Sequence, residues 1–500
     1  MANYRSSSIG LMLGPVLFIG TLFLNLDPNN TSITYTLAVA VLMAVWWITE
    51  AVPIAITSLL PVALFPLLGI MNGKAVSSTY FNHVIFLFIG GFMVALAMEK
   101  WNLHKRIALK LLIKVGTKPG NILFGFMFAT AFLSMWMSNT ATAMMMIPIV
   151  LSVINGLKIQ GQKGKKFHIA LLLGIAYSAS IGGIATLVGT PPNLSFTRIF
   201  SIIFPQSPEI NFATWFIFAL PLSIILFIFI YFWLLYLYHP GKEWENPSKE
   251  IFKNQYKKLG KASFEEKVVL VIFASMAILW ISHHGIKIGS FHVQGWSSLF
   301  PNPSYINDGT IAIFLSSLLF MIPSKNKTST RLLDGDIINK LPWRIVLLFG
   351  GGFALASGFS ESGLSMWFGD QLKWVSSYSP LLVVFIISLL MSFLTELTSN
   401  TATTEMLLPI MAGLAVSIHV NPLLFMLPAT LAASLAFMLP VATPPNAIVF
   451  GTNKIQMKDM IKTGFVINII AVIILSLWVY YFGSYIFNID TQVFPDWATK

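Results

Sequence analysis

The sequence predicts an all-α polytopic membrane protein with eleven transmembrane helices and two re-entrant hairpins, arranged as an inverted repeat. Three observations lead to this prediction. Of the 500 residues, 56% are hydrophobic and only 10% are charged. Apolar segments of about 20 residues, the length that spans a bilayer, recur along the whole chain. Two sets of polar motifs also repeat in the same order in the two halves.

The composition excludes several classes of protein. Soluble chains carry roughly a quarter charged residues, whereas this one has 31 Lys and Arg and 19 Asp and Glu. The net charge of +12 does not indicate nucleic-acid binding, because excess Lys and Arg in a polytopic chain normally lie in cytoplasmic loops. The absence of cysteine excludes disulfides, thiolate metal sites and cysteine nucleophiles.

Hydropathy places the predicted spans. The first apolar run, Ile9–Leu26, has no convincing small-residue cleavage site, so we interpret it as a retained helix. Two long apolar stretches, 120–157 and 379–418, are each interrupted by a short polar run, and we interpret both as re-entrant hairpins. The eleven crossings begin near residues 9, 33, 52, 81, 168, 212, 264, 307, 341, 422 and 462.

The charge distribution orients these spans. With a cytoplasmic N-terminus, the loops on the inside carry 26 Lys and Arg and those on the outside carry four. This asymmetry is what the positive-inside rule requires. It places the N-terminus in the cytoplasm and the C-terminus outside. Removing the return arm of either hairpin would scramble the division for every later loop.

Three segments between the spans have their own predicted structure. Charged and apolar residues alternate at helical spacing over 99–118 and 360–377, which indicates amphipathic helices lying along the membrane interface. The polar stretch 239–263 is predicted to be a cytoplasmic connector between the two halves.

An internal repeat relates the two halves. Between corresponding motifs lie five predicted crossings, an odd number, so the halves enter the membrane from opposite sides. Inverted repeats with interrupted helices are the architecture of secondary transporters, whose site lies near the midplane. The matched segments are 89–92 with 350–353, 138–142 with 399–403, and 189–193 with 442–446.

These motifs indicate ion chemistry within the membrane. The proline pairs at 191–192 and 444–445 are predicted to break the fifth and tenth spans, which exposes unpaired carbonyl and amide groups. The Ser-Asn-Thr runs at 138–140 and 399–401 are predicted to form the hairpin tips, where oxygens suit an alkali cation and hydrogens suit a carboxylate. Interhelical hydrogen bonding is the alternative interpretation, and the duplication favours a site.

The motifs resemble those of the divalent anion/sodium symporter family. The resemblance rests on the two Ser-Asn-Thr runs, the Thr-Pro-Pro-Asn breaks and the segment Trp46–Pro53, and it covers nearly the whole chain. It implies two sodium sites and a dicarboxylate between them. The first sodium site would use Ser134, Ser138, Asn139 and the Gly189 carbonyl; the second would use Thr395, Ser399, Asn400 and the Ala442 carbonyl. Substrate contacts would come from Asn139, Thr140, Asn400, Thr401, Thr443 and Pro444.

The resemblance also implies an assembly and a mechanism. It predicts a homodimer in a bacterial cytoplasmic membrane, embedded in the lipid bilayer, that works by elevator-type movement of one part of each subunit against the other. The scaffold parts would be 1–119 and 264–378, joined through the connector 239–263. The transport parts would be 120–238 and 379–500.

The charges near the motifs bear on which ion is coupled to transport. No Lys or Arg lies within either motif, so a dianion would meet only dipoles unless cations accompany it. The resemblance also implies that exchangers of the same family often carry a basic residue just after Ser-Asn-Thr-Ala, where this chain has Thr142 and Thr403, and this difference favours sodium symport. Proton coupling would need a titratable group, and the candidates are Glu396 and Glu405, each equally well explained as a hydrogen-bonded structural residue.

Several alternatives stay open. A dicarboxylate exchanger, or a citrate or sulfate transporter, would use the same motifs. An ion channel or membrane sensor is the alternative from another class. An enzyme is not expected, because neither Ser138 nor Ser399 has a nearby His or Lys in the sequence. We expect sodium as the coupling ion and no other cofactor, transition metal or nucleic-acid partner.

Overall fold

The computed structural model describes residues 2–156, 162–240, 250–288, 291–326, 329–491 and 493–499. The chain is helical over most of this length, as predicted. One feature was not anticipated: two short antiparallel strands, β1 Gly285–Ile288 and β2 Phe291–Gln294, pair in the loop after residue 281. Part of the predicted connector, residues 241–249, and part of the basic cluster at 158–166 lie outside the described residues.

The first quarter of the chain contains seven α-helices. They are α1 Ala2–Leu22, α2 Thr31–Thr49, α3 Ile54–Thr57, α4 Leu60–Leu67, α5 Gly73–Ser78, α6 His83–Lys100 and α7 Leu103–Val115. The third predicted span is therefore not one continuous helix but two short ones, α3 and α4. Pro53, Pro61 and Pro66 account for this difference, because each lacks a backbone donor and together they prevent a long run of helical hydrogen bonds.

A helical hairpin and an interrupted helix follow. Their elements are α8 Pro119–Ser134, α9 Asn139–Gly156, α10 Gln162–Ile184, α11 Pro191–Ile203 and α12 Phe212–Tyr238. The second half then repeats this order after a further set of helices. These are α13 Glu250–Lys258, α14 Phe264–Ile281, α15 Asp308–Met321, α16 Trp343–Ser362 and α17 Leu364–Gln371. The repeat ends with α18 Pro380–Leu394, α19 Asn400–Ser417, α20 Leu423–Ala432, α21 Pro444–Phe450, α22 Met457–Leu477 and α23 Ser484–Ile486.

Long apolar helices dominate the described chain. Six helical segments are long and apolar enough to cross a membrane by length and composition: Thr31–Thr49, Gly73–Lys100, Lys166–Ile184, Phe212–Tyr238, Trp343–Ser362 and Met457–Ile486. Shorter apolar helices include both arms of the first hairpin and the first arm of the second. Large apolar side chains such as Phe232 and Ile228 on α12 are exposed, which is expected of a surface that faces lipid.

The two predicted interfacial segments are helical, though shorter than expected. Helix α7 lies within 99–118, and α17 with a 3₁₀ turn at Lys373–Ser377 lies within 360–377. Arg106 of α7 holds Glu266 of α14 with two hydrogen bonds, Nε to Oε2 at 2.8 Å and Nη2 to Oε1 at 3.1 Å. Its Nη1 also donates to the Gly260 carbonyl at 2.9 Å. The guanidinium therefore ties the interfacial helix to the end of the connector.

Candidate functional site

The first hairpin turns at its predicted tip. Helix α8 ends at Ser134 and α9 begins at Asn139, so residues 135–138 form the turn. Ser134 Oγ lies 2.6 Å from Asn139 Oδ1 and 2.7 Å from the Ala179 carbonyl oxygen. A hydroxyl has one hydrogen to donate, so three oxygens share a single proton at this point. Oxygens grouped in this way are the ligands that hard cations prefer.

The chain unwinds between α10 and α11, over residues 185–190, and an asparagine side chain holds this segment in place. Asn193 Nδ2 donates to the Thr186 carbonyl at 2.7 Å and also lies 3.3 Å from the Gly183 carbonyl oxygen. Thr186 Oγ1 donates to the Met135 carbonyl at 2.5 Å. The unwound segment is thereby fixed to the turn of the hairpin.

Two glycines allow the unwound segment to approach the tip. A Cβ added at Gly183 would lie 2.7 Å from Asn139 Oδ1 and 3.1 Å from the Gly189 carbonyl oxygen. A Cβ added at Gly189 would lie 2.5 Å from the Gly183 carbonyl oxygen. A side chain at either position would force a neighbouring atom to shift, so glycine allows the observed close approach. Three predicted sodium ligands, Ser134, Asn139 and Gly189, therefore lie together, and Gly183 adds an oxygen that the sequence analysis missed.

The second hairpin repeats this geometry. Helix α19 begins at Asn400, directly after the turn. Thr395 Oγ1 lies 2.7 Å from Asn400 Oδ1 and 2.8 Å from the Ala433 carbonyl oxygen. In the unwound segment between α20 and α21, Asn446 Nδ2 donates to the Leu439 carbonyl at 3.0 Å. Each of these contacts is the counterpart of one in the first hairpin, so the repeat seen in the sequence is also a repeat of hydrogen bonds.

The proline pairs begin half-helices rather than break continuous ones. Helix α10 ends at Ile184 and α20 at Ala432, several residues before Pro191 and Pro444. Each proline pair occupies the first two positions of α11 or α21. Proline is favoured there because its ring presets the helical φ angle and its missing N–H would have no helical partner. The two spans are interrupted near these motifs as predicted, but each break lies before its proline pair, which begins the following helix.

The other predicted residues lie at the starts of the same helices. Ser138 Oγ accepts a hydrogen bond from Ala141 N at 3.2 Å, and Thr443 Oγ1 accepts one from Asn446 N at 3.3 Å. Both bonds satisfy backbone donors that a helix start leaves free. The remaining predicted residues lie within two positions of a helix start: Thr140, Thr401, Ser399, Ala442 and Pro444.

The two halves exchange contacts across the site. Helix α21 of the second half packs against α9 of the first hairpin, and α11 of the first half packs against α19 of the second hairpin. This reciprocal packing joins each hairpin to the interrupted helix of the other half. Several residues at the tips are half-buried or exposed: Asn139, Thr140, Ser399, Asn400 and Pro444.

One buried carboxylate distinguishes the second tip from the first. Glu396 accepts hydrogen bonds from the backbone N–H groups of residues 437–439 at 2.7–2.9 Å and from Asn468 Nδ2 at 2.8 Å. The corresponding residue of the first hairpin is Met135. These four hydrogen bonds offset part of the cost of burying the carboxyl group. Of the two interpretations left open by the sequence, these contacts favour a structural anchor for the unwound segment.

Comparisons with known proteins find similarity over nearly the whole chain. The family described as "Sodium:sulfate symporter transmembrane region" matches residues 12–489. A protein of Staphylococcus saprophyticus named "Sodium-dependent dicarboxylate transporter SdcS" is 46% identical over 498 residues, which cover 97% of this chain and 93% of that protein. A protein of the same name from Staphylococcus aureus is 45% identical over 502 residues, which cover 96% of this chain and 92% of the relative.

Two solved structures share the fold at low sequence identity. The YdaH transporter of Alcanivorax borkumensis matches with a TM-score of 0.53 and 13% identity, over 84% of this chain and 87% of that one. MtrF of Neisseria gonorrhoeae matches with a TM-score of 0.56 and 14% identity, over 84% of this chain and 85% of that one. At these identities the likeness extends to the fold alone.

Proposed function

This chain belongs to the sodium:sulfate symporter family, and on that premise we propose that it carries a C4-type dicarboxylate, such as succinate, malate or fumarate, across the membrane together with sodium. The substrate class comes from the relatives, which are named as sodium-dependent dicarboxylate transporters. The observation that carries the proposal is a matching group of oxygen atoms at each hairpin tip, built on the Ser134–Asn139 pair in the first half and the Thr395–Asn400 pair in the second. We call these two groups the oxygen cages.

The two cages are the proposed sodium sites. The first would be lined by the side chains of Ser134 and Asn139 and by the carbonyls of Gly183 and Gly189. Ser138 would join them if its hydroxyl gave up the hydrogen bond that it accepts from Ala141 N. Every one of these ligands is a neutral oxygen, which suits a monovalent cation better than a divalent one because no carboxylate offsets a second charge. The second site would be lined by Thr395, Ser399, Asn400 and the Ala442 carbonyl.

The substrate would lie between the tips. Asn139, Thr140, Asn400 and Thr401 belong to the first turns of α9 and α19, where unpaired N–H groups favour a carboxylate. Thr443 and Pro444 would complete the site from the second unwound segment. One carboxylate at each tip matches the two-fold character of the repeat.

Charge explains why cation and anion move together. An unpaired dianion at membrane depth is very costly, and the residues of the two motifs include no Lys or Arg. Bound sodium supplies the missing positive charge. Sodium and substrate therefore raise each other's affinity, and by linkage the two effects must be equal.

We also propose an elevator mechanism within a homodimer in the bacterial cytoplasmic membrane. The scaffold of each subunit would be 1–119 with 264–378, and the transport part would be 120–238 with 379–500. The reciprocal packing of α9 with α21 and of α11 with α19 supports this division, because it joins both hairpins into one unit. The N-terminus would be cytoplasmic and the C-terminus outside, as the distribution of Lys and Arg predicts.

Uptake of radiolabelled succinate into proteoliposomes tests the function. Uptake should require an inward sodium gradient and should occur without any internal counter-substrate. Equal uptake with and without sodium would reject the coupling. Uptake only into vesicles preloaded with dicarboxylate, whatever the cation, would identify an exchanger instead. Competition by mono-, di- and tricarboxylates and by sulfate then defines the substrate.

A further inference from the structure

The second hairpin carries two buried carboxyl groups with opposite surroundings. Glu396 accepts four hydrogen bonds, three from backbone N–H groups and one from an amide. Glu405, nine residues further along α19, is 0% exposed and has a single hydrogen-bond partner, the Ser195 hydroxyl of α11. Its second oxygen, Oε2, is buried without a partner among the described residues. Only the first of these settings can hold an ionised carboxylate at modest cost.

The Oε2 atom of Glu405 faces a glycine of another helix. A Cβ added at Gly352 of α16 would lie 1.8 Å from Glu405 Oε2. The carboxyl group thus lies directly against the backbone of α16, a surface that offers it no side chain and no hydrogen bond. The equivalent residue of the first half is Met144, which is 55% exposed, so the repeat does not require a polar side chain here.

Among the described residues Glu405 forms no ion pair, and the titratable groups on the helices packed against α19 make no hydrogen bond to it. These helices, α2, α11, α16, α17, α19 and α20, are all within the described part of the chain. On α11 the only titratable residue is Arg198, whose Nη1 contacts Ser201 Oγ at 3.4 Å. The titratable residues of α16 lie near its ends, eight or more residues from Gly352, at Arg344 and Glu361. Those of α2 and α17 are Tyr35 and Asp370, the latter beside Ser417 at the far end of α19.

An isolated ionised carboxylate in such a place costs far more than a neutral one, and it escapes that cost by taking up a proton. A neutral carboxyl fits the observed contacts. It can share one hydrogen with Ser195, in either direction, and leave only a carbonyl oxygen against α16. We propose that Glu405 is a proton-binding site of this protein, occupied in the conformation described here.

If the proposed elevator mechanism holds, the surroundings of Glu405 change during transport; this inference rests on the proposed function. Glu405 and Ser195 belong to the proposed transport part, whereas Gly352 belongs to the scaffold. Movement of one part along the other would carry the carboxyl group away from α16. When the carboxyl group of Glu405 becomes exposed to water, it releases its proton. It must bind a proton again before it returns to its place against α16. The rate of the transport cycle should therefore depend on pH through Glu405.

Infrared difference spectroscopy on the purified full-length protein tests proton binding without any transport. The spectrum at neutral pH should contain the C=O stretch of a protonated carboxylic acid, and Glu405→Gln should remove that band. Glu396→Gln is the matched control on the same hairpin and should leave the band intact. A wild-type band that persists in Glu405→Gln, or no band at all, would overturn the proposal.

Succinate uptake against pH, compared between wild type and Glu405→Gln, tests the link to movement. Glutamine mimics the neutral carboxyl, so the variant should transport at a rate that changes little with pH once substrate ionisation, common to both proteins, is divided out. Wild-type uptake should fall by up to about tenfold per pH unit once most of the carboxyl is ionised. Identical profiles would reject the link to movement, while the infrared result would still decide proton binding.

Discussion

The substitution Gly183→Ala tests the first proposed cation site with little effect on the rest of the fold. The added methyl would lie 2.7 Å from Asn139 Oδ1 and 3.1 Å from the Gly189 carbonyl oxygen, so at least one of these proposed ligands must move. Gly183 is within α10, and in a helix alanine is normally more favourable than glycine. Any loss of function must therefore come from crowding at the cage rather than from a weakened helix.

The size of the effect follows from this crowding. Adding a methylene group to a well-packed site costs about 1–3 kcal/mol. If the sodium-bound state bears this cost, the sodium concentration for half-maximal succinate uptake should rise about 5- to 150-fold, since each 1.4 kcal/mol is a factor of ten. The position that corresponds to Gly183 in the second unwound segment is Ala436, so only the first cage depends on a missing side chain.

The matched control is Gly20→Ala in α1, where an added Cβ would meet nothing within 4 Å. Both variants should elute from size-exclusion chromatography as the wild type does, and the control should keep the wild-type sodium dependence. An unchanged sodium dependence in Gly183→Ala would refute the assignment of a cation to this cage.

Three further substitutions test the tips. Asn139→Ala and Asn400→Ala should each reduce succinate uptake to background in folded protein, because each removes a ligand proposed to serve both cation and anion; wild-type uptake in both would contradict the site. Glu396→Ala should lower the unfolding temperature, measured by intrinsic fluorescence, because it leaves four buried donors without their acceptor at about 1–3 kcal/mol each before relaxation. A Glu396→Ala protein that unfolds at the wild-type temperature would show that the anchor does not stabilise the fold.

The sequence predicted those parts of the site that are local. The hairpin turns lie at 135–138 and before Asn400, where polar residues interrupt apolar runs, because a break in hydropathy and a helix start are encoded by neighbouring residues. The pairing of Ser134 with Asn139 spans only five positions, and its counterpart in the second half has the same spacing. The repeat in the sequence therefore implied a repeat in geometry.

Other features depend on residues far apart in the chain. Gly183 approaches Asn139 across 44 positions, and Glu396 binds backbone donors about 40 positions away. The difference between Glu396 and Glu405 also depends on distant residues. In the sequence, each is an isolated acidic residue in the same apolar hairpin. They differ because of what packs against each one. The unwound segment between α20 and α21 supplies hydrogen-bond donors to Glu396, whereas Gly352 of α16 supplies none to Glu405.

The sequence by itself determined that the chain is helical and membrane-embedded, that it is built from two related halves, and which polar residues interrupt its helices. Hydropathy and motif spacing carry that information, since they act over one or two turns of helix. The tertiary structure decided which oxygens share a cage and which carboxyl group is left without donors. Those outcomes depend on α21 packing against α9 and α11 against α19, and helix packing joins residues that no local pattern relates.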